Sequence, residues 1–479
     1  MQEYKEIYKL IRDQEIKGIC FDSREVREGY LYVAQKGTKV DGHDFIESSI
    51  LSGAKFILCE HLPKEIEENK SLTEGIKFFV VKDSSEALGF IASSFYDNPS
   101  KKLKVIGITG TNGKTTTVTL LHNLFISLGF KTGLISTIVN KINNVEIPST
   151  HTTPNAIELN DLFAQMVDCG CEYVFMEVSS HAIVQKRIAG VEFSGGIFSN
   201  ITHDHLDFHK TFSEYIKAKK GFFDKLPKTA FALTNLDDSN GEVMLQNTKA
   251  EKFSYSLKTM ADFHALILEN SFEGQLLTID NTELWTKLIG RFNAYNILVI
   301  YSTAILLGLT KDETLRAISQ LDSTEGRFDC ISTSKQTKAI IDYAHTPDAL
   351  TNVIKTINQI REGQGKLITV VGCGGDRDKT KRPIMAKIAA EGSDVLILTS
   401  DNPRTEDADR IIEDMKEGLD TISSKNTFTI TNRHDAIKMA CMIATSEDII
   451  LVAGKGHEKY QEINGVKHHF DDKEEILKY

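Results

Sequence analysis

The chain has few of the features that mark secreted or membrane-bound proteins. It contains only seven cysteines among 479 residues, and they are scattered and odd in number. That pattern is typical of free thiols in a reducing compartment rather than of a disulfide framework. No run of about 18 apolar residues occurs, so no membrane-spanning helix is predicted. The first residues also lack the apolar core of a signal peptide. We therefore expect a cytoplasmic protein with no membrane partner.

Excess positive charge is absent as well. The formal net charge is −11, which argues against a general nucleic-acid binder but allows local basic pockets for an anionic substrate. The hydrophobic fraction of 41% and the charged fraction of 26% are ordinary for a globular protein. The chain is too long for one hydrophobic core, so about three domains are expected.

The most informative segment is a glycine-rich loop. Residues 103–106 form a short apolar run that predicts a buried strand, and residues 118–125 have the apolar spacing of a helix. Between them lie Gly110, Thr111, Asn112, Gly113, Lys114, Thr115 and Thr116. Glycines let backbone N–H groups face phosphate oxygens, and the start of a helix attracts negative charge. In such a loop the lysine reaches the outer phosphates of a nucleotide, and the hydroxyl of Thr115 contacts Mg²⁺.

The spacing of this loop departs from the usual phosphate-binding pattern. Ile108 stands where the first glycine is expected. The alternative is a glycine-rich turn that binds nothing. Gly-Lys-Thr in a loop that follows an apolar strand has few other uses, so it favours a nucleotide-binding loop.

Apolar runs alternate with helical patterns over most of the chain. Strands are predicted at residues 105–108, 173–178, 195–199 and 230–234, and a second series at 339–342, 367–371, 395–399 and 449–452. Strand candidates at 30–34 and 54–59 precede the loop. Alternation of this kind predicts mostly parallel sheets covered by helices. The sequence therefore predicts an α/β protein of three domains.

Two polar segments follow strands of the first series. Glu177 ends one strand, and ligands of open α/β sheets gather at such ends, so its carboxylate is a candidate Mg²⁺ ligand. The alternative is a helix start capped by Ser179 or Ser180. Residues 203–209 then hold three histidines and two aspartates. These residues are consistent with a solvated loop or with a site for a hard cation beside a nucleotide. They are also consistent with a transition-metal site, although no fourth ligand is obvious.

Three polar turns follow strands of the second series, at residues 372–382, 400–404 and 454–458. The carboxyl ends of parallel strands share one edge of a sheet, so the turns could converge on one site. Each turn alone is as well explained by an ordinary strand–helix connection. A lysine-rich segment at 215–223 predicts by default a solvated helix face.

Together these segments resemble the Mur ligase family over essentially the whole chain. The resemblance also includes Asp-Ser-Arg at 22–24, His-Thr-Thr-Pro at 151–154, Gly-Arg-Phe-Asn at 290–293 and Asp-Tyr-Ala-His-Thr-Pro at 342–347. It implies a UDP-binding N-terminal α/β domain at 1–98 and a central P-loop domain with a mostly parallel sheet at 99–327. It implies further a Rossmann-like C-terminal domain at 328–479 that binds an incoming amino acid.

The resemblance implies roles for individual residues. Lys114 and its loop would hold ATP with Asn293, Asn296, Arg327 and His345. A carbamylated Lys219 would act with His205, Thr115 and Glu177 at Mg²⁺, and Lys114, Lys219, His205 and Glu177 would be the catalytic set. The nucleotide-sugar dipeptide would be held by Ser23, Thr152, Thr153, Ser179, Gln185 and Arg187. The incoming amino acid would be held by Arg382, Asp401, Asn402, Pro403, Arg404, Gly454 and Glu458.

The resemblance also implies an activity. A monomeric, ATP- and Mg²⁺-dependent ligase would join meso-2,6-diaminopimelate to UDP-N-acetylmuramoyl-L-alanyl-D-glutamate through an acyl phosphate. In the family Asp-Asn-Pro-Arg marks users of diaminopimelate, and Arg404 offers a fork for the distal carboxylate that lysine lacks.

Four alternatives stay open. The first is the same ligase adding L-lysine, and the second is a ligase of the folylpolyglutamate synthase type. The third is a nucleotide-binding regulator without ligase activity, and the fourth is a zinc-binding protein built on the histidine cluster.

Overall fold

The computed structural model describes residues 4–37, 40–202 and 206–479. Each of the three predicted regions has its own main sheet. The predicted boundary at residue 98 lies between a helix that ends at Phe95 and a strand that begins at Lys104. The predicted boundary at residue 327 lies between a helix that ends at Ile318 and a strand that begins at Asp329. No helix within the described ranges is both long and apolar enough to cross a membrane.

The N-terminal region is a small parallel sheet with helices around it. Its strands lie in the order β1-β2-β3-β4. The strand candidates at 30–34 and 54–59 are confirmed as β2 and β3. The elements are α1 (Lys5–Arg12), β1 (Gly18–Cys20), β2 (Tyr30–Val33), α2 (Ile46–Leu51), β3 (Phe56–Cys59), α3 (Lys64–Glu68), α4 (Lys70–Thr73), β4 (Lys77–Val80) and α5 (Ser84–Phe95), with short 3₁₀ helices at Ser23–Glu25, Gly42–Phe45 and Pro99–Lys102.

The central region is built on a sheet of order β15-β14-β13-β12-β11-β10-β5-β9-β6-β7-β8. Its elements up to the second gap are β5 (Lys104–Thr109), α6 (Lys114–Ser127), β6 (Thr132–Ile135), β7 (Val139–Ile142), β8 (Val145–Pro148), α7 (Ala156–Asp168), β9 (Tyr173–Glu177), α8 (Ser180–Val184) and β10 (Gly195–Phe198). They continue with α9 (Leu206–His209), α10 (Phe212–Asp224), β11 (Phe231–Asn235), α11 (Gly241–Met244), β12 (Glu251–Ser256), β13 (Phe263–Asn270), β14 (Gln275–Ile279), β15 (Thr282–Thr286), α12 (Arg291–Leu306) and α13 (Lys311–Ile318).

The predicted parallel sheet is confirmed at the centre of this region, where β13-β12-β11-β10-β5-β9-β6 all run parallel. Antiparallel strands extend both edges, and the sequence argument did not predict them. Helices α6 and α12 cover one face through an apolar cluster that includes Phe125 and Leu298. Helices α7 and α10 cover the other face.

The C-terminal region repeats the plan with the order β16-β17-β21-β18-β19-β20, in which only β16 is antiparallel. All four predicted strands are confirmed. The elements are β16 (Asp329–Ser332), β17 (Lys338–Asp342), α14 (Pro347–Arg361), β18 (Leu367–Val371), α15 (Lys381–Gly392), β19 (Val395–Leu398), α16 (Ala408–Lys416), β20 (Thr427–Thr429), α17 (Arg433–Ile443), β21 (Ile449–Ala453), β22 (Tyr460–Ile463), β23 (Val466–His469) and α18 (Asp472–Ile476), with a 3₁₀ helix at Ser423–Asn426.

One buried ion pair ties the last helix, α18, to α17. The guanidinium of Arg433 donates to both carboxylate oxygens of Asp472 at 2.7 Å, and neither side chain is exposed. Removing one partner leaves a buried charge uncompensated. We therefore expect Asp472→Ala to lower the free energy of unfolding by about 3–5 kcal/mol. Urea unfolding measures this, with the exposed Asp435→Ala as control. A loss no larger than that of the control would contradict the expectation.

Candidate functional site

The glycine-rich loop joins β5 to α6 as predicted. Gly113 has a φ of +86°, and a Cβ there would lie 2.8 Å from Asn296 Oδ1. A Cβ on Gly110 would lie 1.9 Å from Ser199 Oγ. Both positions therefore require glycine. Lys114 Nζ donates to the carbonyl oxygens of Gly110 and Thr111, each at 2.9 Å, so its ammonium lies over the loop, ahead of the helix start.

Oxygen atoms suited to Mg²⁺ meet beside this loop. Thr115 Oγ1 donates to Glu177 Oε1 at 2.8 Å, and the Thr137 amide donates to the same oxygen at 2.8 Å. Glu177 is 1% exposed and ends β9, which pairs with β5. A hydroxyl next to a carboxylate fits the oxygen preference of a hard cation. The capping alternative also holds for this segment, because Ser179 Oγ accepts from the Ala182 amide at 3.1 Å.

Lys219 belongs to this site and not to a solvated face. It is 1% exposed, and its Nζ donates to the Gly110 carbonyl at 2.7 Å and lies 4.6 Å from the centre of the Tyr215 ring. The default expectation for the lysine-rich segment is therefore wrong at this position, although it holds for the exposed Lys217.

The structure describes only part of the histidine cluster. His205, with His203 and Asp204, lies outside the described residues. His209 is buried, and its Nε2 lies 2.9 Å from Ser180 Oγ. Within the described ranges, no group of three or more His, Cys, Asp or Glu side chains is arranged to hold a metal. The metal role of His205 and the zinc alternative both stay predictions.

The residues expected to hold the muramoyl dipeptide gather next to Glu177. Arg187 Nη1 donates to the Thr153 carbonyl at 2.8 Å, and its Nε donates to Gln185 Oε1 at 2.9 Å. Thr153 Oγ1 donates to the Glu177 carbonyl at 2.8 Å.

Two more of these residues join the same network. Thr153 Oγ1 lies 3.4 Å from Ser179 Oγ, and Thr152 Oγ1 accepts from Thr137 Oγ1 at 3.1 Å. Ser23 lies apart from this group, on a 3₁₀ helix of the N-terminal region that Asp22 caps.

Residues expected near ATP approach the loop from two sides. From α12, Asn296 Nδ2 donates to Asn293 Oδ1 at 3.0 Å, and its Oδ1 lies 3.3 Å from Thr117 Oγ1 in α6. From the other side, Arg327 Nη2 lies 3.5 Å from Thr115 Oγ1. The Arg327 guanidinium lies 4.5 Å from the centre of the Tyr343 ring.

His345 lies next to that ring. Its Nδ1 is 2.9 Å from the Tyr343 carbonyl. The structure therefore brings Arg327 and His345 together on the C-terminal side of the loop.

One contact between the loop and the C-terminal region was not predicted from the sequence. Asp348 Oδ2 accepts from Asn112 Nδ2 at 2.9 Å and from Thr202 Oγ1 at 3.2 Å. Asp348 lies in the first turn of α14, where an acidic residue is typical of any helix start. Nothing in the local sequence distinguishes it from such a residue.

The three C-terminal turns converge as predicted. Asn402 Nδ2 donates to Glu458 Oε2 at 2.7 Å, which joins the turn after β19 to the turn after β21. A Cβ on Gly454 would lie 2.6 Å from Asp401 Oδ2. A Cβ on Gly375, in the turn after β18, would lie 1.9 Å from the Pro403 carbonyl oxygen. We call this group of turns the C-terminal pocket.

Arg404 is held in an uncommon backbone conformation in this pocket. Its φ is +52°, in the left-handed region that residues other than glycine seldom adopt. The Arg404 amide donates to the Glu462 carbonyl at 3.0 Å, and the Asn464 amide donates to the Arg404 carbonyl at 2.7 Å. Its Nη1 donates to the Gly375 carbonyl at 2.7 Å. The hairpin of β22 and β23 therefore orients the guanidinium.

The resemblance implies that Arg382 contacts the incoming amino acid. In the structure its guanidinium pairs with carboxylates of the chain itself. Arg382 is 1% exposed, and its guanidinium donates to Glu406 at 2.9 and 3.1 Å and to Asp414 at 2.7 Å. These contacts orient the guanidinium, and a direct role of Arg382 at the incoming amino acid stays a prediction.

Arg377 is an exposed arginine in the same turn that the sequence argument did not single out. An added Cβ on Gly374 would lie 3.9 Å from Arg377 Cγ and 2.9 Å from Arg404 Nη1. Arg377 and Arg404 therefore flank the same glycine. The signal in the sequence was the Asp-Arg-Asp turn itself.

Family models and named relatives match this chain. Three family models match: "Mur ligase family, catalytic domain" at 15–96, "Mur ligase middle domain" at 108–304 and "Mur ligase, glutamate ligase domain" at 326–456.

Named relatives cover almost the whole chain. The UDP-N-acetylmuramoyl-L-alanyl-D-glutamate--2,6-diaminopimelate ligase of Bacteroides fragilis is 55% identical over 98% of this chain and 95% of its own length. The relative of the same name from Cytophaga hutchinsonii is 54% identical over 96% and 94%. A solved structure of a ligase with that name matches with a TM-score of 0.69 and 32% identity, covering 96% of this chain and 94% of its own. The chain belongs to the Mur ligase family.

Proposed function

We propose that this protein is the ATP-dependent ligase that adds meso-2,6-diaminopimelate to UDP-N-acetylmuramoyl-L-alanyl-D-glutamate in peptidoglycan precursor synthesis. The observation that carries the proposal is the Asp-Asn-Pro-Arg turn, with Arg404 and Glu458 in one pocket. The name shared by relatives at 54–55% identity supports it.

The reaction has two steps that these residues serve. The D-glutamyl carboxylate attacks the γ-phosphorus of ATP, which breaks the bond to ADP and forms an acyl phosphate. The amino group of diaminopimelate then attacks the acyl carbon, and phosphate leaves as the amide forms. Lys114 would spread the charge of the transferring phosphoryl group, and Arg187 with Thr153 would orient the dipeptide beside it.

Mg²⁺ would be held by Thr115 and Glu177, whose oxygen atoms fit it. When bound it supplies further stabilisation of phosphoryl charge. We propose the added roles of His205 and of a carbamylated Lys219 from the family resemblance. The position of Lys219 Nζ, 2.7 Å from the loop carbonyl of Gly110, supports its place in this site.

We favour diaminopimelate over L-lysine because of charge. Diaminopimelate carries a distal carboxylate as well as a distal ammonium. Arg404 would bind the carboxylate, with Arg377 beside it, and Glu458 would bind the ammonium. L-lysine has no distal carboxylate, so it would offer Arg404 no anionic group beyond Glu462, whose Oε2 lies 3.5 Å from Arg404 Nε. The family match at 15–96, ahead of the phosphate loop, counts against a folylpolyglutamate synthase and against a regulator.

We also propose that the enzyme works as a cytoplasmic monomer. All seven cysteines are free, which supports a reducing compartment.

The deciding experiment measures phosphate release with ATP, Mg²⁺ and UDP-N-acetylmuramoyl-L-alanyl-D-glutamate. Meso-diaminopimelate, L-lysine and L-glutamate are offered in separate tubes. Release only with diaminopimelate supports the proposal. Release only with L-lysine keeps the ligase but refutes the role of Arg404. Release only with L-glutamate refutes the specificity assigned to the C-terminal pocket, and release with none of the three, from folded protein, refutes the ligase assignment.

The role of Lys219 has its own test. Lys219→Ala is expected to lower phosphate release at least about tenfold, as expected when a charged group is lost from a buried polar site. A small carboxylic acid such as acetate should restore part of the activity, because it can take the place of the carbamate. The exposed Lys217→Ala is the matched control on the same helix. Absence of rescue by any small acid would refute the carbamate role.

A further inference from the structure

Lys455, in the turn after β21, is a fully buried lysine with no role so far. It is 0% exposed, and its Nζ donates to Asn402 Oδ1 at 3.0 Å and lies 3.5 Å from Glu458 Oε2. Lysine is almost never fully buried unless its charge is paired. Both partners are residues of the C-terminal pocket, so the charge of Lys455 is matched by the pocket itself.

The first effect of Lys455 is on the Asn402 amide. An amide can present either its oxygen or its nitrogen in a given direction, whereas an ammonium only donates. Lys455 therefore holds Asn402 Oδ1 towards itself, and the Glu462 amide donates to the same oxygen at 2.9 Å. Asn402 Nδ2 is then directed to Glu458 Oε2 at 2.7 Å.

The second effect is on the charge of Glu458. Burial and the nearby Asp401 raise the pKa of Glu458, while Lys455 acts in the opposite direction. The other groups that face this carboxylate are the Tyr343 hydroxyl, 3.4 Å from Oε1, and the buried Arg433 behind the turn. Lys455 is the cation that contacts the carboxylate directly among the described residues, so it does most to keep Glu458 ionised.

We propose that Lys455 is a positioning residue for amino-acid choice. It holds Asn402 and an ionised Glu458 in the arrangement that receives the distal ammonium of the incoming diamino acid. The inference rests on the proposed function of the C-terminal pocket. In this role Lys455 acts through its contacts with Asn402 and Glu458.

The test compares Lys455→Met with wild-type enzyme in the phosphate-release assay. We expect KM for diaminopimelate to rise at least about tenfold, the lower end of what a hydrogen bond to a charged group contributes. KM for ATP should stay within about twofold of wild type, because the loop is untouched. The exposed Lys438→Met of α17 is the matched control. An equal rise in both KM values would overturn the inference.

The pH profile separates positioning from general damage. With Lys455→Met the pKa of Glu458 rises further, so the carboxylate is ionised only at higher pH. KM for diaminopimelate should then fall as pH is raised, and wild type should show a smaller change over the same range. A KM that does not fall as the pH is raised would overturn the inference.

A double variant covers the case in which Lys455→Met does not fold. Replacing a buried ion pair by neutral groups of similar size is often tolerated, so Lys455→Met/Glu458→Gln is compared with Glu458→Gln. We expect the two to share one KM for diaminopimelate, since Lys455 acts through Glu458. A further tenfold rise in the double variant would overturn the inference. Failure of wild type to use diaminopimelate would instead refute the proposed function.

Discussion

Replacing Lys114 by methionine is expected to lower kcat for phosphate release about 10²–10³-fold, the range seen when one preorganised donor to a developing charge is removed. The ammonium of Lys114 lies over the phosphate loop, held by two loop carbonyls. During transfer it would face the phosphoryl oxygens, where it would be worth more than in the ground state. The measurement is phosphate release at saturating substrates.

The control for this variant is Lys101→Met. Lys101 is an exposed lysine on the 3₁₀ helix that leads into β5. It should keep kcat within about twofold of wild type, as expected for a surface substitution away from the site. A Lys114→Met enzyme with kcat near that of the control would refute the assignment of the loop to ATP.

Replacing Arg404 by alanine is expected to lower kcat/KM for diaminopimelate about 10²–10³-fold. Removing one partner of a charge pair that is buried on binding costs about 2–5 kcal/mol, and each 1.4 kcal/mol is a factor of ten. KM for ATP should change by less than about twofold, because Arg404 lies in a different turn from the groups at the phosphate loop. The measurement is a pair of KM determinations on the same enzyme preparation.

Two further variants make this test specific. Arg404→Lys keeps the charge but loses the fork, so its kcat/KM should lie between wild type and Arg404→Ala. Arg410→Ala removes an exposed arginine of α16 and should leave kcat/KM unchanged. Equal loss of affinity for ATP and diaminopimelate in Arg404→Ala would contradict the pocket.

The main architecture was predictable because parallel strands bring their carboxyl ends to one edge. That rule placed Glu177 beside Thr115 and joined the turns that hold Asn402 and Glu458. It could not show that Lys219 is buried, because a lysine-rich helix has the same pattern whether or not one lysine points inward. The antiparallel strands at both edges of the central sheet were missed because they are only half-buried. Half-buried strands lack the continuous apolar runs from which the other strands were predicted.

The arginines of the C-terminal turn show a second limit. Arg377 and Arg382 lie five positions apart in one charged segment, and the sequence does not show where the turn stops. The structure begins α15 at Lys381, which places Arg382 in the first turn of that helix and buries it against Glu406. Arg377 stays in the exposed part of the turn.

The order of strands in the C-terminal sheet separates substrate choice from folding. β17, β21, β18 and β19 are adjacent, and the turns after them carry Tyr343, Glu458, Gly375 and Arg404. The apolar residues of the strands themselves face the helices on either side. A laboratory that exchanged these turns for those of another family member could redirect the amino acid used while leaving the packed interior intact. On the proposed function, the sheet supplies the fold, and the residues that select the amino acid lie in a few turns at one edge.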